Sequence, residues 1–294
     1  MHTNSGAYWR SKEEVSTYLQ DMALTRQAYS SLTIPFTTTA EFIQRILPPC
    51  FQPPETPRGM AVMGLYRSSL AGFYTEARIC FACRYEGRDA WYTPAGYTSE
   101  EYACYTAREV RGYPFKHGIV NLMPVGHALY ASTVRHGIGS IERVAGEMLM
   151  EASVSQLKEA PARKHSTTFV NIGGTLQVAG DGFEHPPVIL VCTAEDTQEY
   201  CAYGDVDFKF LDGTFDALSE IPVVSVDKAV YAQGYCEERV SGAAVIEKGQ
   251  EQYLKYYFGT KFDNLFCIPM SELVNDEVVK LYEYCQPLEG GVSL

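Results

Sequence analysis

Glu76 stands in the run Phe73-Tyr74-Thr75-Glu76-Ala77-Arg78. In an extended strand successive side chains face opposite ways, so Tyr74 and Glu76 share one face and Phe73 and Thr75 the other. A carboxyl turned into an apolar interior holds its proton to higher pH and can serve as general acid or base. Turned outward, it would pair with a neighbouring arginine, and the spacing alone favours that plainer role. Lys116 directly follows Phe115. If the ring faces inward the amine faces away, unless a bulge beside Pro114 turns it back. Arg108 and Glu109 read as a structural pair, and His117 as an exposed or hydrogen-bonded group. Tyrosine is over-used, with 21 in the chain, which makes phenol-lined pockets plausible.

Other chemistries lack support. There is no G-x-G-x-x-G after a strand and no G-x-x-x-x-G-K-[ST], so no nucleotide cofactor is expected. H-E-x-x-H and G-x-S-x-G are absent, and the six histidines never pair at ligand spacing, so no metal is expected and no nucleophile elbow is indicated. Cys80 and Cys83 form a C-x-x-C with no second pair at zinc-ribbon spacing, and strand alternation would put their sulfurs on opposite faces. The nine scattered cysteines read as buried or half-buried free thiols. The net charge of −12 speaks against nucleic acid. The opening residues lack a basic then apolar pattern, and the longest uncharged run, Gly118 to Val134, is broken by Asn121, Pro124 and Gly126. Neither a secretory signal nor a membrane span is read there, and a reduced, cytoplasmic, soluble protein is expected.

The elements that must hold these residues are mostly strands. A first helix opens on the capping box Ser11-Lys12-Glu13-Glu14 and occupies 11–27. A second runs from Thr39 to Leu47, boxed by Thr38 and Glu41 and stopped by Pro48-Pro49. From Gly59 to about Ala243 short β-rich segments follow: Met60–Leu65, Gly72–Phe81, Ala90–Tyr92, Tyr102–Ala107, Leu129–Val134, Thr167–Ile172, Val188–Cys192, Asp207–Leu211 and Val223–Tyr231. Ser140–Leu157 suits either a helix or two twisted strands. Helix returns over Glu247–Phe258, and Val274, Val278, Leu281 and Cys285 mark the face of a last one. A single α+β unit, mainly antiparallel β, is the simplest division.

Two stretches carry a resemblance: Ala71-Gly72-Phe73-Tyr74-Thr75-Glu76, and Ala107-Arg108-Glu109-Val110-Arg111-Gly112-Tyr113-Pro114-Phe115-Lys116-His117. Together they resemble the acetoacetate decarboxylase-like family, in which a G-x-Y-x-E strand precedes G-R-E-x-x-x-Y-P-K-K. Weaker echoes are Ile46-Leu47-Pro48-Pro49 and the run from Phe210 to Val223, which looks like the family's last helix and strand. The resemblance covers about residues 28–246 and leaves a C-terminal helical extension at 247–294. It implies a curved antiparallel sheet closed into a cone or barrel with the reactive residues inside, flanked by helices.

The family's chemistry uses a lysine amine that forms a Schiff base with a ketone; the amine is kept neutral by an apolar site or a neighbouring cation, as in the general example of the family's namesake. Here the first lysine of Y-P-K-K is replaced by Phe115, and Lys116 is the second. The expected arginine falls near Tyr29, with Arg26 earlier, and the glutamate of the first core strand falls at Ala61. Of the acidic pair Glu76 remains. Tyr97 and Tyr113 match pocket-lining positions. The resulting expectation is a lyase acting on a small or polyketide-like β-keto or enol acid without the usual Schiff-base lysine, by decarboxylation, dehydration or aldol-type cyclisation. Glu76 and Lys116 are the catalytic candidates; Tyr29, Tyr74, Tyr97, Tyr113 and Phe115 are the binding candidates. The alternatives are a non-catalytic binding protein and a Lys116 Schiff-base decarboxylase. Assembly into a homo-oligomer is expected.

Overall fold

The computed structural model describes residues 9–136, 146–177, 180–213 and 215–263. Ser11 caps α1 (Lys12–Ala23) with the reciprocal box: Glu14 N donates to Ser11 Oγ at 3.2 Å and Ser11 N to Glu14 Oε2 at 2.7 Å. The helix ends at Ala23, four residues before the expected 27, because the chain then enters β1 (Leu24–Thr37). That strand is hydrogen-bonded on both sides, Leu24 lying opposite Arg239 and Gln27 opposite Ser68. Two ladders satisfy more backbone groups than one further helical turn would. In α2 (Ala40–Ile46) the cap is Thr39, not Thr38, with Phe42 N donating to its Oγ1 at 3.2 Å.

The remaining strands are β2 (Arg58–Ser68), β3 (Gly72–Tyr85), β4 (Arg88–Thr98), β5 (Phe115–His117), β6 (Ile119–Val125), β7 (Ala128–His136), β8 (Gly146–Ala160), β9 (Lys164–Gly173), β10 (Val188–Phe210), β11 (Ser225–Val226) and β12 (Ala229–Val245). The order β1-β2-β3-β4-β9-β10-β12, with β12 pairing back onto β1, closes a ring. All its pairs are antiparallel except β4 with β9, and β5 adds a second parallel edge to β4. The second half of β10 leaves the ring through a register shift at Tyr203/Asp205 and pairs with β8, which carries β7 and β6. Thus Val188–Cys192 and the expected segment Asp207–Leu211, up to Phe210, are parts of one strand, and the described part of Ser140–Leu157 is extended.

Alternation divides each ring strand between two cores. Leu32, Ile34, Met63, Ala77 and Ile79 face outward and are completely buried against Leu129, Leu149 and Val154 of β7 and β8. Each such leucine, isoleucine or methionine side chain contributes roughly 1.5–3 kcal/mol on burial. Tyr29, Tyr66, Tyr74, Phe169, Cys192 and Cys236 face inward and form a second cluster. Cys80 belongs to the inner cluster and Cys83 to the outer.

Two expected strands are different. Tyr102–Ala107 is helical: α3 (Glu101–Tyr105) runs into a π-helical turn at Thr106–Val110. Glu100 caps it by accepting from Ala103 N at 2.8 Å, and Ala103 and Ala107, four apart, both bury against the inner cluster. The four-residue spacing of small residues outweighed the tyrosines' strand preference. Val223–Tyr231 is broken into β11 and the start of β12, and Leu218–Glu220 is a single 3-10 turn where a last helix was expected. The C-terminal helix α4 (Glu251–Lys261) is described, whereas the expected helix at Val274–Cys285 lies outside the described residues. Among the described residues no helix is long and apolar enough to cross a membrane.

Candidate active site

Strand β3 delivers Tyr74, Glu76, Arg78 and Cys80 to the ring interior, since every second residue faces in. Glu76 Oε1 lies 3.4 Å from Arg78 Nε. From β12 comes Glu238, its Oε2 4.0 Å from Arg78 Nη1 and its Oε1 3.6 Å from Arg111 Nε. Glu76, Glu238 and Arg111 are buried, and Arg78 is largely so, its side chain 11% exposed. Burial raises the Glu76 carboxyl to about 7, and the nearby Glu238 charge adds to this, while Arg78 and Arg111 oppose it.

Arg111 and Tyr113 reach the interior through a sharp turn. The π-helical turn ends at Val110, and Gly112 adopts φ +71°, where a Cβ would press on the backbone of Ile172 and Gly173. Only glycine takes that conformation without strain. Arg111 Nη2 then donates to Met22 O at 2.7 Å and to Thr25 Oγ1, anchoring it to the end of α1 and the start of β1.

Phenols and rings complete the wall. Tyr74 Oη donates to Gln27 Oε1 at 2.8 Å, and its ring stacks on Tyr66 at 5.4 Å. Tyr66 meets Tyr29 at 6.2 Å, and Tyr113 lies 5.5 Å from Phe115 and 6.0 Å from Phe169. The Arg78 guanidinium lies over the Phe169 ring at 4.8 Å. Tyr113 Oη, Thr98 Oγ1 and Glu238 Oε1 are enclosed and have no hydrogen-bond partner. Burial holds the Tyr113 phenol well above its ordinary range, so it stays a neutral donor.

Arg78 and Gln27 stand between two compartments. One, about 40 Å³, is bounded by Glu76, Glu238, Arg111, Tyr113 and Phe115. The other, about 250 Å³, is bounded by Tyr29, Trp91, Phe169, His165 and Asp196. No lysine is among the described residues that bound either one.

The sequence-derived candidates are therefore divided. Glu76, Tyr29, Tyr74, Tyr113 and Phe115 converge on the interior. Tyr97 and Lys116 lie on the other face. The bulge between Ile79 and Phe81 in the β3–β4 pairing resets the phase of β4, so that Tyr97 packs in the outer core, donating to Asp216 Oδ1 at 3.0 Å. Lys116 Nζ sits 3.3 Å from Asp216 Oδ1 and 3.2 Å from Asp263 Oδ1. Ala61 is likewise in the outer core, and Arg26 pairs with Glu237 on the surface at 2.9 Å. Arg108 does not pair with Glu109; it donates to Phe115 O at 3.2 Å and Lys261 O at 3.1 Å. Sequence reasoning missed Arg78, Arg111, Glu238, Gln27 and Asp196. Only Arg78 carried a signal, because it stands two residues from Glu76 and shares its face.

The strands thus close into a ring whose interior holds buried carboxylates, guanidinium groups and phenols. Residues 11–248 match the family described as acetoacetate decarboxylase (ADC), and the chain belongs to that family. Solved structures share the fold at low identity. The acetoacetate decarboxylase of Legionella pneumophila superposes with TM-score 0.63 at 15% identity, over 83% of this chain and 93% of that one. The enduracididine biosynthesis enzyme MppR, solved with the condensation product of pyruvate and imidazole 4-carboxaldehyde, gives 0.58 at 15% identity over 76% and 88%. An acetoacetate decarboxylase-like enzyme from Sphingomonas wittichii RW1 gives 0.56 at 18% identity over 78% and 95%. A comparison with curated proteins finds no match.

Proposed function

We propose that this protein is a lyase of the acetoacetate decarboxylase type that acts on a β-keto or enol acid without forming an imine. The observation that carries the reading is Glu76: an enclosed carboxyl raised to about 7, with Arg78 Nε at 3.4 Å. A carboxyl so placed carries its proton near neutrality and can release it to a reacting carbon. The fold also accommodates a product derived from pyruvate, an α-keto acid, in MppR, which supports an oxygenated carbon-acid substrate in general.

For decarboxylation the steps balance without a covalent intermediate. The substrate's ketone oxygen is held by Arg78 and the free Tyr113 phenol. The bond to the carboxylate carbon breaks, carbon dioxide leaves, and the electron pair becomes an enolate on that oxygen. Cation and phenol stabilise the negative charge as it develops. The Glu76 carboxyl then protonates the enolate carbon, and solvent restores its proton. The same groups would serve dehydration or aldol-type cyclisation, in which Glu76 moves a proton at the carbon beside the carbonyl.

The test is to present the protein with a panel of short and aryl-substituted β-keto acids and follow loss of carbon dioxide or of the enol absorbance. Turnover that disappears in Glu76→Gln supports the reading. Tight binding of such acids with no turnover in the unaltered protein would instead make the chamber a ligand-carrying site. Phe115, where the family carries an amine, is the feature that favours this second reading.

A further inference from the structure

The wider compartment holds groups that the proposed reaction does not use. Asp196 on β10 and His165 on β9 face each other, Asp196 Oδ2 lying 3.7 Å from His165 Nε2, and His165 Nδ1 is enclosed without a hydrogen-bond partner. Trp91 and Phe169 contribute flat apolar walls, Arg78 lies at the inner end, and Arg163 and the half-exposed His165 lie toward solvent. At about 250 Å³ this space is far larger than a three- or four-carbon keto acid needs, while the 40 Å³ on the Glu76 side is on the scale of a water or a carboxyl group.

Resting on the reading of the Glu76 side as the reacting end, we propose that the wider compartment is a subsite for the tail of the substrate. That tail is a flat aromatic or unsaturated skeleton bearing a hydroxyl group that donates to Asp196. The charge balance selects a neutral donor. Asp196 is the one carboxylate bounding this compartment among the described residues, against the guanidinium groups of Arg78 and Arg163, so an ammonium has no net attraction there. A second carboxylate on the tail would have to lie beside Asp196. A hydroxyl adds one more donor to a half-buried carboxylate that already accepts from Tyr29 and Cys236, and the ring it sits on stacks on Trp91. Burial pushes the Asp196 carboxyl upward, so its charge is one that a hydrogen-bond donor would relieve.

Trp91 reports on this space directly, because Trp9 is the only other tryptophan. In a Trp9→Phe background, Trp91 emission is titrated with three acids that carry no ketone and cannot react: phenylpropanoate, its ring-hydroxylated form and its ring-methoxylated form. All three should alter the emission, and the hydroxylated acid should bind roughly tenfold more tightly than the unsubstituted one, the scale of one hydrogen bond to a charged group. The methoxy acid accepts but cannot donate, so it should show no such gain. Asp196→Ala should bring the ratio of hydroxylated to unsubstituted affinity down to about one, a ratio in which any general change in affinity cancels. The proposal is overturned if the methoxy acid binds as tightly as the hydroxylated one, if Asp196→Ala keeps the preference, or if none of the acids alters Trp91 emission. The methoxy comparison needs no substitution at Asp196, so the test stands even where that variant does not fold. Loss of Glu76-dependent turnover with the preference intact would sink the reaction alone; the reverse pattern would sink the subsite alone.

Discussion

Lys116 Nζ lies 3.3 Å from Asp216 Oδ1, on the opposite side of the β4–β5 pair from the ring of its neighbour Phe115. A second carboxylate, Asp263, holds it at 3.2 Å, and Arg135 bridges the same two acids. Held by these two carboxylates on the face away from the Phe115 ring, the side chain does not reach the ring interior. Incubation with a β-dicarbonyl compound and borohydride, followed by peptide mass mapping, should therefore give no adduct at Lys116. Rapid labelling there, suppressed by Lys116→Ala, would restore the Schiff-base mechanism. The mapping also covers Lys261, whose amine burial and nearby Arg108 lower to about 8, but which donates to Arg108 O at 3.4 Å and bounds neither compartment.

Glu76→Gln keeps the side chain's shape and removes its titratable proton. Turnover of an identified substrate should fall by about 10²–10⁴-fold, the usual worth of a positioned acid or base, with folding nearly intact by circular dichroism. As a proton donor Glu76 should also impose a rate that declines as pH passes about 7. A variant with full activity would remove Glu76 from the mechanism.

Stability should carry the same signature. The folded carboxyl releases its proton near 7, above the roughly 4.3 of an unfolded glutamate. The folded state therefore binds more protons between those values, and the stability linked to Glu76 is complete below the lower value and lost as pH rises through the higher. Thermal unfolding of the unaltered protein should weaken between about pH 4 and 7, the span of the two values, more than that of Glu76→Gln. Identical pH profiles would show that Glu76 does not titrate in this range.

Gly96 lies beneath Phe115, its register partner, and a Cβ there would collide with Cδ1 and Cε1 of the ring. Gly96→Ala should cost about 1–3 kcal/mol by displacing the ring or the strand. Adding Phe115→Leu should return part of that loss, read as a rise in Tm relative to the single variant. No recovery would mean that some other neighbour sets the limit.

α1 buries none of its side chains, and Val15, Tyr18 and Leu19 on it are exposed, as is Phe73 at 68%. Apolar surface of this kind favours self-association. Light scattering at micromolar concentration should give a multiple of 32.8 kDa. A monomer mass would defeat the expectation.

What the sequence determined by itself was local. The Ser11 capping box, the alternation that pairs Tyr74 with Glu76, and the β-rich segments follow from contacts within a few residues, and the structure contains them. Motif order in two short stretches was enough to suggest the family. β1 was not legible, because its stability comes from β2 and β12, which are distant in sequence. Of the charged groups around Glu76, only Arg78 was in view, and the two beyond it were hidden. Glu238 and Arg111 meet it only because the ring closes β12 onto β1 and the turn at Gly112 carries Arg111 inward. The placement of Tyr97 shows the limit most clearly. Period-two alternation holds only while the register is unbroken, and one bulge between β3 and β4 moved Tyr97 to the other face. Which carboxylates are enclosed, and so which can hold a proton near neutrality, was decided by ring closure alone, because desolvation depends on every strand that surrounds the group.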